Sequence, residues 1–350
     1  MRNCLKIVSL LFLSSNLFSQ TYWVKYGWQV FENGGDARIL SLGSAGVTDT
    51  GTSISPLFNP ASSKKFARQH LNYTHQSRLA GMVNSDLIGF SLSNFNRPIN
   101  IILLYEGIDQ IPDTRNLLLD FGLDGIPGTG DIGENNGQLD EGERLDTKKV
   151  KYFSQKQFGM HVSTAWDYKK YHIGVGLKNL FHSLGDFSSM GIGMDLGFLA
   201  TPWKNGKIGL HIRDVTTSWQ VWSNGTVERF KPIITSGVAH NHNFKGTKLS
   251  VSGAVNLISN FNTNQSLSID ENDQKAIYGV NIKYDNILAV RFGRNKVKSK
   301  TFGVGLSWSN ISLDYAFLNE PLNSGLGSSH LISIVIDPNL IFKFIEKMGL

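Results

Sequence analysis

The chain has 350 residues, with 34 Lys and Arg against 28 Asp and Glu for a formal net charge of +6, and it carries 36 glycines and a single cysteine. One cysteine cannot form an intrachain disulfide, and 41% hydrophobic residues argue against a disordered polar chain, so stability must come from packing or from a closed hydrogen-bond ladder. Beyond the N-terminus no stretch reaches the roughly 18 uncharged apolar residues of a spanning helix, which excludes helical membrane insertion but not insertion by strands.

Arg2 and Lys6 precede the apolar run Ile7 to Phe18, and Ser19-Gln20 closes it. This pattern predicts a secretory signal over residues 1–20. Its removal takes Cys4 away and lowers the formal charge to about +4, leaving a mature chain with neither disulfide nor thiol nucleophile. An exported chain with scattered Lys and Arg is not expected to bind nucleic acid.

Residues 21–66 are rich in small side chains from Gly34 to Gly46, and Asn59-Pro60-Ala61 opens a short helix or turn. Ile39, Leu40, Leu42, Ile54, Leu57 and Phe58 need burial. The segment is therefore expected to form a hatch that folds into the mouth or lumen of a barrel built from the rest of the chain, with Asn59, Pro60 and Ala61 as its marked residues.

From residue 67 to 337 the dominant pattern is period-2 alternation. Phe302, Val304, Leu306 and Trp308 share one face while Gly303, Gly305 and Ser307 share the other; after Ser309-Asn310 the alternation resumes through Ile311, Leu313, Tyr315 and Phe317. Such runs predict fourteen strands, near 69–75, 87–93, 99–105, 157–166, 171–177, 191–199, 207–213, 233–241, 248–256, 276–284, 287–294, 301–308, 311–317 and 329–336. An even number of strands in an exported chain, with charges such as Arg213, Lys283, Arg291 and Asp314 on the small-residue face, fits an all-β transmembrane antiparallel barrel better than a sandwich. Lipid cannot satisfy backbone polar groups, so the sheet must close. Tyr73, Tyr105, Tyr152, Trp166, Tyr171, Trp203, Tyr284 and Trp308 are candidates for interfacial girdles. On this reading an outward Val304→Arg is costly and an inward Gly303→Ser is mild.

Between the third and fourth strands, an insertion over 113–148 holds eight carboxylates and one basic residue within Asp120 to Asp146. Asp120, Gly122, Asp124, Gly125 and Asp131 follow EF-hand spacing, with oxygen donors at positions 1, 5 and 12, glycine at 6, and Gly122 where position 3 would supply a ligand. Glu134, Asn136, Asp140 and Glu143 extend the donor set. The expected ligand is Ca2+, at the modest affinity of extracellular modules. Gly128-x-Gly130-x-x-Gly133 matches a dinucleotide fingerprint in form alone: no strand precedes it, and Asp131 would face a pyrophosphate.

The stretch GGDARILSLGSAGVTDTGTSISPLFNPAS resembles the N-terminal signature of the PorV/PorQ family, as do Gly176 to Leu180, Gly191 to Gly197 and His330 to Ile334 in that order. The resemblance implies a FadL-like outer-membrane barrel with an N-terminal hatch, in a Gram-negative-type bacterium. It also implies a non-catalytic docking role in protein secretion of type IX kind, with secreted proteins or secretion components as partners beside outer-membrane lipid. The alternative is a FadL-like channel for a small hydrophobic molecule, with residues 34–61 as hatch and a glycine-lined lumen as path. The chain departs from the usual barrel terminus by carrying a tail over 338–350 after the last strand. An enzyme is not expected: neither GxSxG nor HExxH occurs, and the histidines scatter without a visible acid–base partner. His240-Asn-His242 is the nearest approach to a zinc pair.

Overall fold

The computed structural model describes residues 21–24, 28–64, 71–92, 97–115, 117–215, 217–260, 274–319 and 327–337. The expected signal over 1–20 and the tail over 338–350 lie outside them. Fourteen strands form the wall: β1 (Leu71–Arg78), β2 (Val83–Leu92), β3 (Ile99–Asp113), β4 (Lys151–Tyr168), β5 (Tyr171–Leu184), β6 (Phe187–Ala200), β7 (Gly206–Arg213), β8 (Ile233–Asn243), β9 (Leu249–Asn260), β10 (Lys275–Tyr284), β11 (Leu288–Arg294), β12 (Lys300–Trp308), β13 (Ile311–Asn319) and β14 (Ser329–Ile336). Each pairs antiparallel with the next. The barrel closes where β14 pairs with β1, from His330 opposite Ser77 to Ile336 opposite Leu71. Closure leaves no open sheet edge, the condition for a sheet in hydrocarbon.

Every predicted strand has its counterpart, but several are longer than the alternation suggested. β4 starts at Lys151 rather than near 157, because adjacent Tyr152 and Phe153 put one aromatic on each face and the rest of Lys151 to Lys156 is polar, which loses the alternation while the ladder continues. The sequence pattern gave no sign of the hairpin Ser218–Trp222 and Val227–Phe230, which continues β7 and β8 past a break where Asp214 and Thr217 adopt positive φ. Its first strand pairs with β6, from Trp219 opposite Ile192 to Trp222 opposite Ser189. The strand Thr21–Val24 runs parallel to its second, from Thr21 opposite Val227 to Val24 opposite Phe230.

Both ends of the wall reach one rim, as an even strand count requires. That rim carries the short turns after β4, β6, β10 and β12, and is the periplasmic one in barrels of this kind. Trp166, Tyr171, Trp203, Tyr284 and Trp308 border those turns, exposed on the outer face. Tyr73 and Tyr105 sit further along their strands, and Tyr152 stands near the opposite rim.

Among the described residues, chain occupies the barrel interior. Residues 28–64 fill it with two short helices, α1 (Gln29–Glu32) and α2 (Ala37–Leu40), and 3-10 turns at Ser55–Leu57 and Pro60–Lys64. Asp36 caps α2 by accepting from the Ile39 amide at 2.8 Å. Ile39 and Ile54 are fully buried; Trp28, Val30, Phe31, Ile54 and Leu57 pack with the wall residues Leu87, Ile102, Leu104 and Leu180 and with Phe230 of the hairpin into one apolar cluster.

Candidate functional site

The functional region is the contact between this N-terminal segment and the inward wall. Where segment backbone or rings approach, the wall has glycine. A Cβ on Gly159 would stand 2.8 Å from the Phe31 ring, and one on Gly209 would stand 2.6 Å from the Val47 carbonyl oxygen, closer than real contacts allow. Gly89 faces Ile54, Gly279 faces Leu42, and Gly303 faces Ser41. The glycine-lined face, which the channel alternative takes as the wall of a path, is the socket of the segment, because removing side chains lets a second layer of chain lie against the strands.

Hydrogen bonds hold the segment around most of the circumference. Ala37 N donates to Ser333 Oγ on β14 at 2.7 Å, and Gln76 Nε2 on β1 to the Gly35 carbonyl at 2.8 Å. Thr301 Oγ1 on β12 donates to the Ser41 carbonyl, Lys207 Nζ on β7 to Thr50 Oγ1, and Ser63 Oγ to Ser163 Oγ on β4, all at 2.8 Å. The marked residues Asn59, Pro60 and Ala61 are brought together against β5 and β6. Asn59 is fully buried; its Nδ2 donates to the Val47 carbonyl at 2.8 Å and the Phe198 carbonyl at 3.0 Å, and its Oδ1 accepts from Ala61 N at 3.0 Å. Pro60 and Ala61 lie on Gly174 and Gly197. A void of only about 10 Å³ remains beside Thr50 and Ala61.

Charge locks the segment in two places. Arg38 grips Asp49 with both terminal nitrogens, at 2.8 and 2.5 Å. Burial would raise the Asp49 carboxyl, but the guanidinium and the Ser55 hydroxyl outweigh it and hold Asp49 well below the ordinary carboxylate range. Glu32 lies 3.3 Å from Lys296 Nζ and 3.7 Å from Arg213 Nη1. Burial opposes its ionisation and these cations overcome that, so its carboxyl also sits below its usual value.

A third charged group belongs to the wall and was missed from sequence. Lys178 Nζ lies 2.9 Å from Asp195 and 2.5 Å from Asp214, and the Asp214 amide donates to Asp195 at 2.9 Å. His211 and His161 flank Asp195 at 3.6 and 3.9 Å. The Lys178 ammonium sits 5.7 Å from the ring centroids of both Trp28 and Phe31, so wall charge steadies the aromatic end of the segment. The histidines therefore do have acidic neighbours, contrary to the sequence reading: alternation shows which side chains point inward but not which strands meet. The signal available was Lys178 and Asp195 standing on the glycine face.

The acidic insertion is exposed and folds upon itself. Asp120 accepts from the Asn136 and Gly137 amides at 3.2 and 2.7 Å, and Asp131 from the Asp124 amide at 2.7 Å. Asp124 accepts from the Ile126 amide at 2.8 Å, and Glu134 takes the Gly128 and Gly130 amides. Glu143 takes the Gly122 and Asp140 amides at 3.0 and 2.9 Å, while Asn136 Nδ2 donates to Asp140 at 2.6 Å. Among the described residues no three His, Cys, Asp or Glu side chains converge to hold a metal ion, here or at His240 and His242. Trp203 Nε1 donates to His240 at 3.2 Å and His242 meets Phe244 edge to face.

On the outer wall, Tyr105, Phe158, Phe181, Met190 and Val221 stand in register across five strands and, with Lys156, Ser183, Ser188 and Ser223 above them, border a groove of about 530 Å³. Gln157, His182, Ser189 and Trp222, on the inward face of the same strands, also line it.

No protein-family model and no curated protein sequence matches the chain. Solved structures do match. The toluene transporter TbuX of Ralstonia pickettii aligns over 87% of this chain and 97% of its own at 12% identity and a TM-score of 0.50. Two structures of the toluene transporter TodX of Pseudomonas putida align over 87% and 91% of this chain and 98% of theirs, at 11% and 12% identity and TM-scores of 0.52 and 0.51. The fold is a FadL-like barrel of fourteen strands. A closed barrel with an apolar outer face belongs in an outer membrane, which is where this protein resides. The narrower PorV/PorQ resemblance is matched by none of these comparisons.

Proposed function

We propose that the protein is a non-catalytic conduit for a small hydrophobic molecule across the outer membrane. The observation that carries this reading is the apolar cluster inside the lumen. Trp28, Val30, Phe31, Ile54 and Leu57 pack with Leu87, Ile102, Leu104 and Leu180 of the wall into an apolar contact inside a barrel that also buries many polar side chains. A hydrated or charged solute gains nothing there, whereas an apolar one exchanges water for the segment as the segment shifts. Hydrogen bonds and ion pairs hold the segment to the wall, so a shift needs no covalent bond broken. The likeness to two toluene transporters points the same way. The docking role in secretion implied by the PorV/PorQ resemblance has no comparable support.

The test staples the segment. Ser63→Cys with Ser163→Cys replaces a hydroxyl contact by a disulfide in a mature chain expected to lack other thiols. Cells lacking their own hydrocarbon channels should take up a radiolabelled monoaromatic hydrocarbon through the native protein, lose that uptake in the oxidised double variant and regain it on reduction. Uptake indifferent to the staple, or absent from the native protein, overturns the reading.

Calcium in the 120–143 loop stands as a separate proposal, supported by the EF-hand spacing of Asp120, Asp124 and Asp131. Binding would draw these carboxylates off the amides they now cap.

A further inference from the structure

The outer wall of a membrane barrel faces hydrocarbon, where an ionisable side chain is a functional feature until shown otherwise. His75 on β1 and Asp86 on β2 are directly opposite each other and point outward. Their neighbours Thr74 and Gln76 are buried on the inner face, while the side chains of His75 and Asp86 keep 45% and 38% of their exposure. His75 Nδ1 lies 2.9 Å from Asp86 Oδ1, and the Tyr73 hydroxyl donates to the same oxygen at 2.7 Å.

The depth of this group makes it unusual. β1 and β2 have 8 and 10 residues, about the length that crosses the hydrocarbon layer. His75 and Asp86 fall near the middle of their strands. Apolar and aromatic side chains surround them: Ile332 stands opposite His75, Tyr105 opposite Asp86, and Ile88 opposite Tyr73. Both hydrogen bonds fall on Oδ1. Among the described residues, Asp86 Oδ2 and His75 Nε2 receive no partner.

We propose that this face is the contact between two copies of the chain, related by a two-fold axis that passes between His75 and Asp86. Each His75 Nε2–H then donates to Asp86 Oδ2 of the second copy. A two-fold contact presents every group to its complement twice, so one acid and one base on the same patch suffice. With both ring nitrogens donating, each imidazole is protonated. Two imidazolium ions and two carboxylates sum to zero charge, and the lone donor and the lone acceptor on each wall are both satisfied. Lipid chains offer neither group, and a foreign partner would have to carry a matching pair of its own.

The axis makes a positional forecast. The axis runs along the membrane normal and conserves height, and Ser77 stands level with Asn84 as His75 does with Asp86, so rotation places Ser77 of one copy over Asn84 of the other. Two differently tagged full-length chains, one Ser77→Cys and the other Asn84→Cys, are co-expressed and oxidised in intact outer membranes. The expected product is a mixed disulfide dimer, with none when Val255→Cys on β9 replaces either variant. His75→Phe with Asp86→Leu, which suits a lipid-facing wall, should cut the dimer at least tenfold while the barrel keeps its heat-modifiable mobility. Exchanging the pair, His75→Asp with Asp86→His, should restore it. No mixed disulfide, a product with a different protein, or a dimer indifferent to the double variant overturns the proposal.

Discussion

The inward wall and the acidic insertion are both rich in glycine, and their glycines do opposite jobs. On the wall, Gly159, Gly174, Gly209 and Gly303 lie in ordinary strand conformation, and what forbids a side chain is the segment lying against them. In the insertion, Gly125, Gly128 and Gly130 have nothing within 4 Å of where a Cβ would go, and what selects glycine is a positive φ of 66°, 82° and 70°. One set makes room for another part of the chain; the other lets the chain turn on itself. The same letter thus marks a socket in one place and a coil in the other.

If the wall is a fitted socket, damage to what fills it should spread, and damage to the coil should not. The largest effect is expected from Arg38→Ala. It leaves the mostly buried Asp49 carboxylate without its cation and should cost about 3–5 kcal/mol of docking, read as protease cleavage within 28–64 of a barrel that is still assembled. Acid should act on the same contact late. A depressed carboxyl contributes stability that is present above its unfolded value and lost as pH falls through its folded one. Asp49 and Glu32 should therefore keep the segment docked from neutral pH down through the ordinary carboxylate range, and protection that disappears near pH 6 would contradict the assignment.

Next comes Val304→Arg, a lipid-facing change expected to cost about 2–4 kcal/mol and to lower the yield of heat-modifiable barrel. Its inward neighbour no longer looks mild: Gly303→Ser pushes against Ser41, and Gly174→Ala against the Pro60-Ala61 backbone. Each should cost about 1–3 kcal/mol of segment docking, measured by the same proteolysis. Gly125→Ala should strain its turn by about 1 kcal/mol and leave both segment and barrel untouched, the sharpest contrast between the two glycine sets. The smallest effect is expected from a chelator, which should only quicken cleavage within 120–143, since the carboxylates there can also cap amides. Equal cleavage with and without calcium removes the ion from the account.

The wall was legible in sequence because lipid imposes alternation on every strand that crosses it. Where β4 rises beyond the apolar band at Lys151 to Lys156, that pressure ends and so did the prediction. The burial required by Ile39, Leu40, Leu42, Ile54, Leu57 and Phe58 was legible too: four are buried, and Leu42 and Phe58 are partly so. The charged group at Lys178, Asp195 and Asp214 was not, because it joins side chains from β5, β6 and the break after β7. Sequence parity gives each residue its face, but which residues meet depends on the shear between strands. The hairpin after β7 was missed for a related reason: Asp214 and Thr217 interrupt the alternation, and only the pairing with β6 shows that the strand resumes.

The seam between β14 and β1 bears on the order in which the molecule is made. The last strand of the wall must find the first, and the tie from Ala37 to Ser333 joins residues 296 positions apart across that junction, beside the Gln76 contact to Gly35. Loops of that length close slowly. Since Gly35 and Ala37 rest on both sides of the junction, the N-terminal segment is positioned to act as a mandrel on which the ring is sealed. A chain deprived of it should be retained on the insertion machinery as an unsealed sheet.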